Sequence, residues 1–450
     1  MICRTGIVFS GYYCIFTACF IFINQNIYNI YQGVMECNIQ IASVIYCLCV
    51  VLFLSGEIRA EGESNIRINE SDTVSFTDGI VHRIAIEGRP SYIFPTNSFL
   101  KGENFAGKPI RNAFSAHLKY SFKYRPDTYT DKIYNGVYQG VGLAYYSFGN
   151  KEELGNPVAL YLFQGARIAR FSSLLSLNYE WNFGVSAGWK PYDSNTNWNN
   201  KVIGSEINAY LNTNFYFNWQ LSHQFDLTSG ISLSHFSNGN TKFPNAGINT
   251  IGVKVGLVYN FNRKEYEHPK MSSRPFYPEY SRHISYDLVL FGSWRRKGVA
   301  FEDKQIPSPN AYPVLGFNFA PMYNLSYRIR VGASLDGVYD GSANVYTRDY
   351  IVGTEHEFLK PPLYKQLALG VSGRAEYVMP YFTVGIGLGT NVLHAGGDLE
   401  AFYQILALKI EVTRNSFIHI GYSIHDFHEP NFLMLGIGFR FNNKCPSFHR

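Results

Sequence analysis

"EINAYLNTNFYFNW", residues 206–219, is the stretch whose reading decides the fold. Ile207, Ala209, Leu211, Phe215, Phe217 and Trp219 share one parity, with Thr213 among them; Glu206, Asn208, Tyr210, Asn212, Asn214, Tyr216 and Asn218 share the other. Successive side chains of an extended chain point to opposite sides, so this alternation predicts a strand with one apolar and one polar face. "RIRVGASLDGVYD" (328–340) repeats the design, with Ile329, Val331, Ala333, Leu335 and Tyr339 opposite Arg328, Arg330, Ser334, Asp336 and Asp340. So does "FLMLGIGFRF" (432–441), with Leu433, Leu435, Ile437, Phe439 and Phe441 on one side.

About sixteen such segments follow residue 78, separated by Gly, Asn, Asp and Pro turns, and no helical periodicity of domain length competes with them. Many run roughly ten to fifteen residues, against the five or six usual in soluble sheets. Their polar faces hold Arg, Asp, Asn and Gly. Long strands that are apolar outside and polar inside predict an antiparallel outer-membrane β-barrel, in which closure satisfies every backbone group in lipid. Composition agrees: aromatic residues make up 16% and charged residues only 16%, below the roughly 25% of soluble domains. The net charge of +5 is small for 450 residues and gives no reason to expect a nucleic-acid partner.

The expected count is about sixteen strands, within a range of roughly twelve to sixteen. A charged, Pro-rich loop, "NRKEYEHPKMSSRPFYPEYSR" (262–282), divides the strands into halves. Each half ends in a His-containing strand, a Pro-Asn turn and a strand closing in Phe261 or Phe441. One large barrel and two eight-stranded units both satisfy the pattern, and the single barrel is the preferred expectation. The divisions are a leader at 1–60, a first half at 61–262, a second half at 263–442 and a short tail at 443–450.

Cys3, Cys14, Cys19, Cys37, Cys47 and Cys49 precede residue 50, and Cys445 stands alone beyond. The apolar run "IASVIYCLCVVLFLSG" (41–56) precedes Ala60, which ends a small-residue cleavage candidate, with Met35 as an alternative start upstream. This run reads as a secretory signal peptide, as does its length: neither it nor "CIFTACFIFI" (14–23) reaches the roughly 18 residues of a helical span. Its removal leaves one cysteine and so no internal disulfide.

"HFSNGNTKFPNAGIN" (235–249) breaks the alternation in an informative way. Leu227, Ile231 and Leu233 define the apolar face of the strand before it, and His235 and Ser237 continue that face. After the turn, Asn249 is in phase with Ile251, Val253, Val255, Leu257, Tyr259 and Phe261. If the apolar face meets lipid, these three polar groups lie outside the barrel, where an unused polar group is costly. His and Ser two apart on one strand face can act as base and nucleophile, with Asn249 orienting the ring. The loop offers N–H groups and amides to an oxyanion. A plain rim of a hairpin is the competing reading of the spacing.

The segment resembles the active-site stretch of the PagL-type lipid A 3-O-deacylases, at His235, Ser237, Asn238, Pro244, Asn245 and Gly247. The resemblance implies an outer-membrane β-barrel esterase that removes the ester-linked acyl chain at the 3 position of lipid A, without metal or other cofactor. It implies Ser237 as nucleophile, His235 as general base, and Asn238, Gly239 and Asn245 around the oxyanion. The family's acidic third member falls at Asn249, which is neutral. The C-terminal half resembles longer acyloxyacyl hydrolase-like proteins, with His425 in a place like that of His235 and Phe427 where a nucleophile would stand. The implied partners are lipopolysaccharide and outer-membrane lipid in a Gram-negative cell. A non-catalytic barrel, channel or structural, is the alternative.

"HDFHE" (425–429) shows no third zinc ligand. "GIGLG" (385–389) lacks the helix and acidic residue of a dinucleotide site and reads as small inward residues of a strand. Lys254, Arg328, Arg330 and Arg440 are expected on inward faces.

Overall fold

The computed structural model describes residues 80–444 apart from 127, 262, 264–279, 297, 302–303, 309, 348–356 and 428. The leader with Ala60, all seven cysteines, most of the 262–282 loop and most of the tail lie outside the described residues.

The first eight strands are β1 (Ile80–Ile93), β2 (Asn112–Tyr124), β3 (Tyr138–Ser147), β4 (Gly155–Arg170), β5 (Leu175–Trp189), β6 (Ile207–Gln220), β7 (Phe225–Ser237) and β8 (Ile248–Asn260). They pair in sequence order, and β8 returns antiparallel to β1, with Ile251 opposite Tyr92 and Asn260 opposite Arg83, to close a barrel. Two short helices, α1 (Ser98–Lys101) and α2 (Tyr129–Tyr134), lie in its connections.

A second closed barrel follows, built from β9 (His283–Arg295), β12 (Tyr312–Asn324), β13 (Ile329–Asp340), β16 (Leu367–Val378), β17 (Phe382–Leu393), β18 (Phe402–Glu411), β19 (Ser416–His425) and β20 (Glu429–Phe441). β20 returns to β9, with Phe439 opposite Leu288. Its connections carry two small hairpins, β10 (Gly298–Phe301) with β11 (Lys304–Pro307), and β14 (Tyr346–Thr347) with β15 (Phe358–Leu359).

The all-β antiparallel architecture and the sixteen barrel strands are those the alternation predicts; the single barrel preferred from sequence is not what forms. The division is the other arrangement, two eight-stranded units. The interior gives a physical reason, since eight strands enclose a space that side chains alone can fill. In the first barrel Glu87 meets Lys119 at 3.0 Å, Lys254 at 2.9 Å and Arg89 at 2.6 Å, and Lys119 reaches Glu180 at 2.5 Å. In the second, Asp287 holds Lys409 and Arg440, each at 2.8 Å, while Glu376 pairs with Arg330 at 3.1 Å and with Lys409. Lys254, Arg330 and Arg440 therefore face inward as expected. Arg328 does not sit on a strand face: it lies in the turn before β13, where its carbonyl accepts from Val378 N. Buried charges of this kind are tolerated only when paired, and here the pairs cross each lumen.

The exterior is the inverse of a soluble protein. Ile86, Leu118, Leu160, Ile231 and Val253 of the first barrel, and Leu290, Leu315 and Ile437 of the second, are more than half exposed on outward faces. Short turns at 171–174, 221–224, 325–328, 379–381 and 412–415 mark one end of both barrels, with the β2–β3 connection that carries α2 as the long exception there. Long connections at 94–111, 190–206, 238–247, 296–311 and 341–366 mark the other. This asymmetry is that of outer-membrane barrels, whose long loops face outside the cell.

The barrels touch along their sides. Trp181, Leu162 and Phe183 pack against a cluster of Tyr377, Met379, Phe382 and Leu408. Gln164 Nε2 donates to Pro380 O at 3.2 Å, and Tyr134 Oη to Tyr327 O at 3.3 Å. At the long-loop end Arg296 N donates to Asn240 O at 3.3 Å.

Candidate active site

β7 ends at the long-loop rim, and its last side chains alternate as the sequence requires. Ser232, Ser234 and Phe236 are buried toward the lumen, while Leu233, His235 and Ser237 are half-buried on the outer face. Phe236 fixes this phase: it is fully buried, with its ring 4.9 Å from Tyr146, 5.1 Å from Trp189 and 5.3 Å from Tyr210. A one-residue slip would take that ring out of the aromatic plug and turn His235 and Ser237 inward.

Register completes the site. His235 stands opposite Asn249 on β8 and Leu211 on β6; Ser237 stands opposite Ala209. His235 Nδ1 donates to Asn249 Oδ1 at 2.5 Å, which selects the tautomer with the proton on Nδ1 and leaves Nε2 as an acceptor. Asn249 is itself buried, and its carbonyl accepts from Phe94 N at 3.0 Å, tying the orienting residue to the connection after β1.

The 238–247 loop folds back over the pair. Ser237 Oγ accepts from Gly239 N at 3.4 Å. Asn238 N donates to Asn245 Oδ1 at 3.0 Å, and Asn238 Nδ2 to Lys242 O at 2.8 Å. Asn245 Nδ2 donates to Asn240 Oδ1 at 3.2 Å. Of the three residues expected around an oxyanion, Gly239 thus brings its N–H to the serine, while Asn238 and Asn245 brace the loop. Gly247 has φ +72°, and a Cβ there would lie 2.9 Å from Phe236 O, 3.3 Å from His235 Cε1 and 3.6 Å from Ser237 Cβ. Histidine and serine therefore border one small space that only glycine leaves open. The loop rests on the neighbouring connection: Gly247 N donates to Val202 O at 2.9 Å and Ala246 N to Lys201 O at 3.3 Å.

His425 corrects one expectation. It does not occupy a place like that of His235, because it is buried on the lumen side of β19, opposite in phase to Ile418, Ile420 and Tyr422. Its Nδ1 donates to Phe402 O at 2.9 Å, and its Nε2 accepts from Asn431 Nδ2 at 2.7 Å. The second Pro-Asn pair is likewise not a turn: Pro430 and Asn431 belong to β20. "GIGLG" lies within β17, as expected. Sequence reasoning missed Arg296, Tyr422 and Leu433, which the second barrel brings against the 238–247 loop. No local signal marks them, since their proximity depends on how two separately closed barrels meet.

A closed barrel with an apolar exterior, a lumen crossed by ion pairs and a His–Asn pair beside a serine on its outer rim defines a class, that of membrane β-barrels with a polar site at the rim. Residues 115–258 match the family described as Lipid A 3-O-deacylase (PagL), and residues 284–443 match the one described as Acyloxyacyl hydrolase, C-terminal domain. The chain belongs to this lipid A deacylase family of outer-membrane ester hydrolases. Among solved structures it is similar to Neisserial surface protein A, at 9% identity over 41% of this chain and 100% of that one, with a TM-score of 0.27. It is also similar to Ail, the attachment invasion locus protein of Yersinia pestis, at 12% identity over the same shares, with a TM-score of 0.22. No curated protein matches the chain.

Proposed function

We propose that this chain removes an ester-linked acyl chain, that at the 3 position, from lipid A in the outer leaflet, with Ser237 as nucleophile and His235 as base. The observation that carries the reading is the outward His235–Asn249 pair at the long-loop rim, with Ser237 two residues along the same strand face. A polar pair turned to the bilayer edge has a use if the substrate is a membrane lipid.

Ser237 Oγ attacks the ester carbonyl carbon while its proton passes to His235 Nε2, the nitrogen left free by the bond to Asn249. The hydroxyl turns toward the ring for this step, since in the resting site it accepts from Gly239 N. That N–H then serves the developing oxyanion, a role in which a single donor contributes roughly a hundred- to a thousandfold in rate. The carbon–oxygen bond to the sugar breaks and His235 returns the proton to the leaving oxygen. Water, activated by the same nitrogen, releases the fatty acid from Ser237. Asn249 holds the ring but carries no charge, so it stabilises the imidazolium less than a carboxylate would.

The test is mass spectrometry of lipid A incubated with refolded protein. The wild type is expected to remove one hydroxyacyl chain and Ser237→Ala to remove none. An equal loss with both proteins would take the serine out of the mechanism, and no loss with folded wild type would overturn the reading.

A further inference from the structure

The second barrel meets the first at the catalytic loop. A Cβ placed on Gly239 would lie 3.7 Å from Leu433 Cδ1 and 3.7 Å from Tyr422 Cε2. Tyr422 and Leu433 are opposed on β19 and β20, and both point outward from the second barrel. Farther along the same stripe, Ile437 and Phe439 are exposed, whereas Leu433 and Tyr422 are half-covered. The cover comes from the loop that carries the oxyanion donor, pinned by the bond from Arg296 N to Asn240 O.

We propose that the Tyr422–Leu433 pair forms one wall of the site for the scissile acyl chain, so that the second barrel sets which chain length is accepted. The proposal rests on the deacylase reading above and adds its specificity residues. An acyl chain whose carbonyl sits at Ser237 has its hydrocarbon directed into the bilayer, along the outer face of β6 and β7. There Leu211, Leu233 and Ile231 supply a continuous apolar track. From Ser237 to Ile231 that track descends roughly 20 Å, the length scale of a fatty acyl chain. A single barrel would leave the track open to lipid on the far side. Here Tyr422 and Leu433 stand against Gly239, two residues beyond Ser237 and so at the head of that track, and a two-sided site can discriminate where a flat surface cannot, because length and bulk are read only against a wall.

The wall also suits the environment. Apolar contact between two barrels gains little from the hydrophobic effect when the alternative is lipid, so such an interface depends on packing and hydrogen bonds. A surface held by few polar contacts near its loop end can accept a lipid tail without losing the assembly.

Two measurements on the full chain test this. In the first, lipid A preparations differing in the length of the ester-linked chain are given to wild type, Leu433→Trp, Leu433→Ala and Tyr422→Ala. Heat-modifiable mobility on gels verifies folding. Leu433→Trp is expected to shift the ratio of kcat/KM between the longest and shortest chains about tenfold toward the short, and the alanine variants to relax the preference. Ile437→Ala, on the same stripe but away from the loop, is expected to leave the ratio unchanged. Ratios unchanged in all wall variants would overturn the proposal. In the second, Ser237→Ala protein is irradiated with lipid A carrying a photoactivatable diazirine in the ester-linked chain. Cross-links to 416–441 as well as to β6 or β7 support the wall, and cross-links to the first barrel alone overturn it. The second measurement needs no turnover, so an inactive wild type with cross-links on both barrels would reject the hydrolase and keep the groove.

Discussion

The two barrels end in the same way in sequence and in opposite ways in space. In the first, the seventh strand carries His235 on its outer face, bonded to Asn249 across the closing hairpin. In the second, the seventh strand carries His425 on its inner face, bonded to Asn431 across the closing hairpin. Each pair joins imidazole to carboxamide at the long-loop rim, yet one has a nitrogen to spare and the other has none. Asn249 accepts from Nδ1 and leaves Nε2 as an acceptor, whereas Asn431 donates to Nε2 while Nδ1 is spent on Phe402 O. A histidine becomes chemically available through the face its strand turns and the direction of one amide, rather than through its neighbours in sequence.

The sharpest way to break this comparison is to delete each imidazole in turn. His235→Ala is expected to lower kcat on lipid A by about a thousandfold or more, because removing a base leaves only the oxyanion donor and binding to act. His425→Ala is expected to leave kcat unchanged, with a loss of about 1–3 kcal/mol in urea unfolding as Phe402 O and Asn431 lose a buried partner. Comparable losses of activity in both would show that the second barrel takes part in the chemistry.

Asn249 offers the next largest effect. Asn249→Ala frees the ring to adopt the other tautomer and should cost about a hundredfold or more in kcat. Asn249→Glu should do the reverse. A carboxylate beside Nδ1–H favours the protonated ring, so the imidazolium formed in the transition state is stabilised and the plateau of kcat rises. By the same sign the resting ring holds its proton to higher pH, so the acid limb of the pH–rate profile moves upward. A plateau that falls with the acid limb unmoved would mean that the residue positions the strand rather than the ring.

Much of this was legible in the chain. The alternation in 206–219 assigned each side chain of β6 its face, because period two has only two outcomes. The outward placement of His235 and Ser237 followed from counting down from Ile231 and Leu233. The number of barrels did not follow, since β8 could alternate identically whether it paired with β1 or with β9; closure is a long-range choice that leaves the local pattern untouched. His425 was misplaced for a different reason. Its parity was readable against Ile418, Ile420 and Tyr422, but the likeness of a histidine with phenylalanine two residues on suggested a degenerate copy of the site. The contact of Tyr422 and Leu433 with Gly239 left no trace in either segment.

The smallest of these effects concerns the space that separates the two histidines' fates. Gly247 ends the first loop with φ +72° and with its backbone close against His235 and Ser237. In Gly247→Ala the methyl group meets Phe236 O at 2.9 Å and the His235 ring at 3.3 Å, and the left-handed conformation adds about 1–2 kcal/mol. The carbonyl is fixed by the barrel ladder and Phe236 by the aromatic plug, so the ring and the loop are what can yield. The expected result is a roughly tenfold fall in kcat with binding little changed, since a shift of an ångström in a base is enough for losses of that order or greater. Steady-state kinetics on lipid A separates the two parameters. A fall in kcat/KM carried wholly by KM would place the methyl group's effect on lipid entry, and would move Gly247 from the chemistry of the first hairpin to its gate.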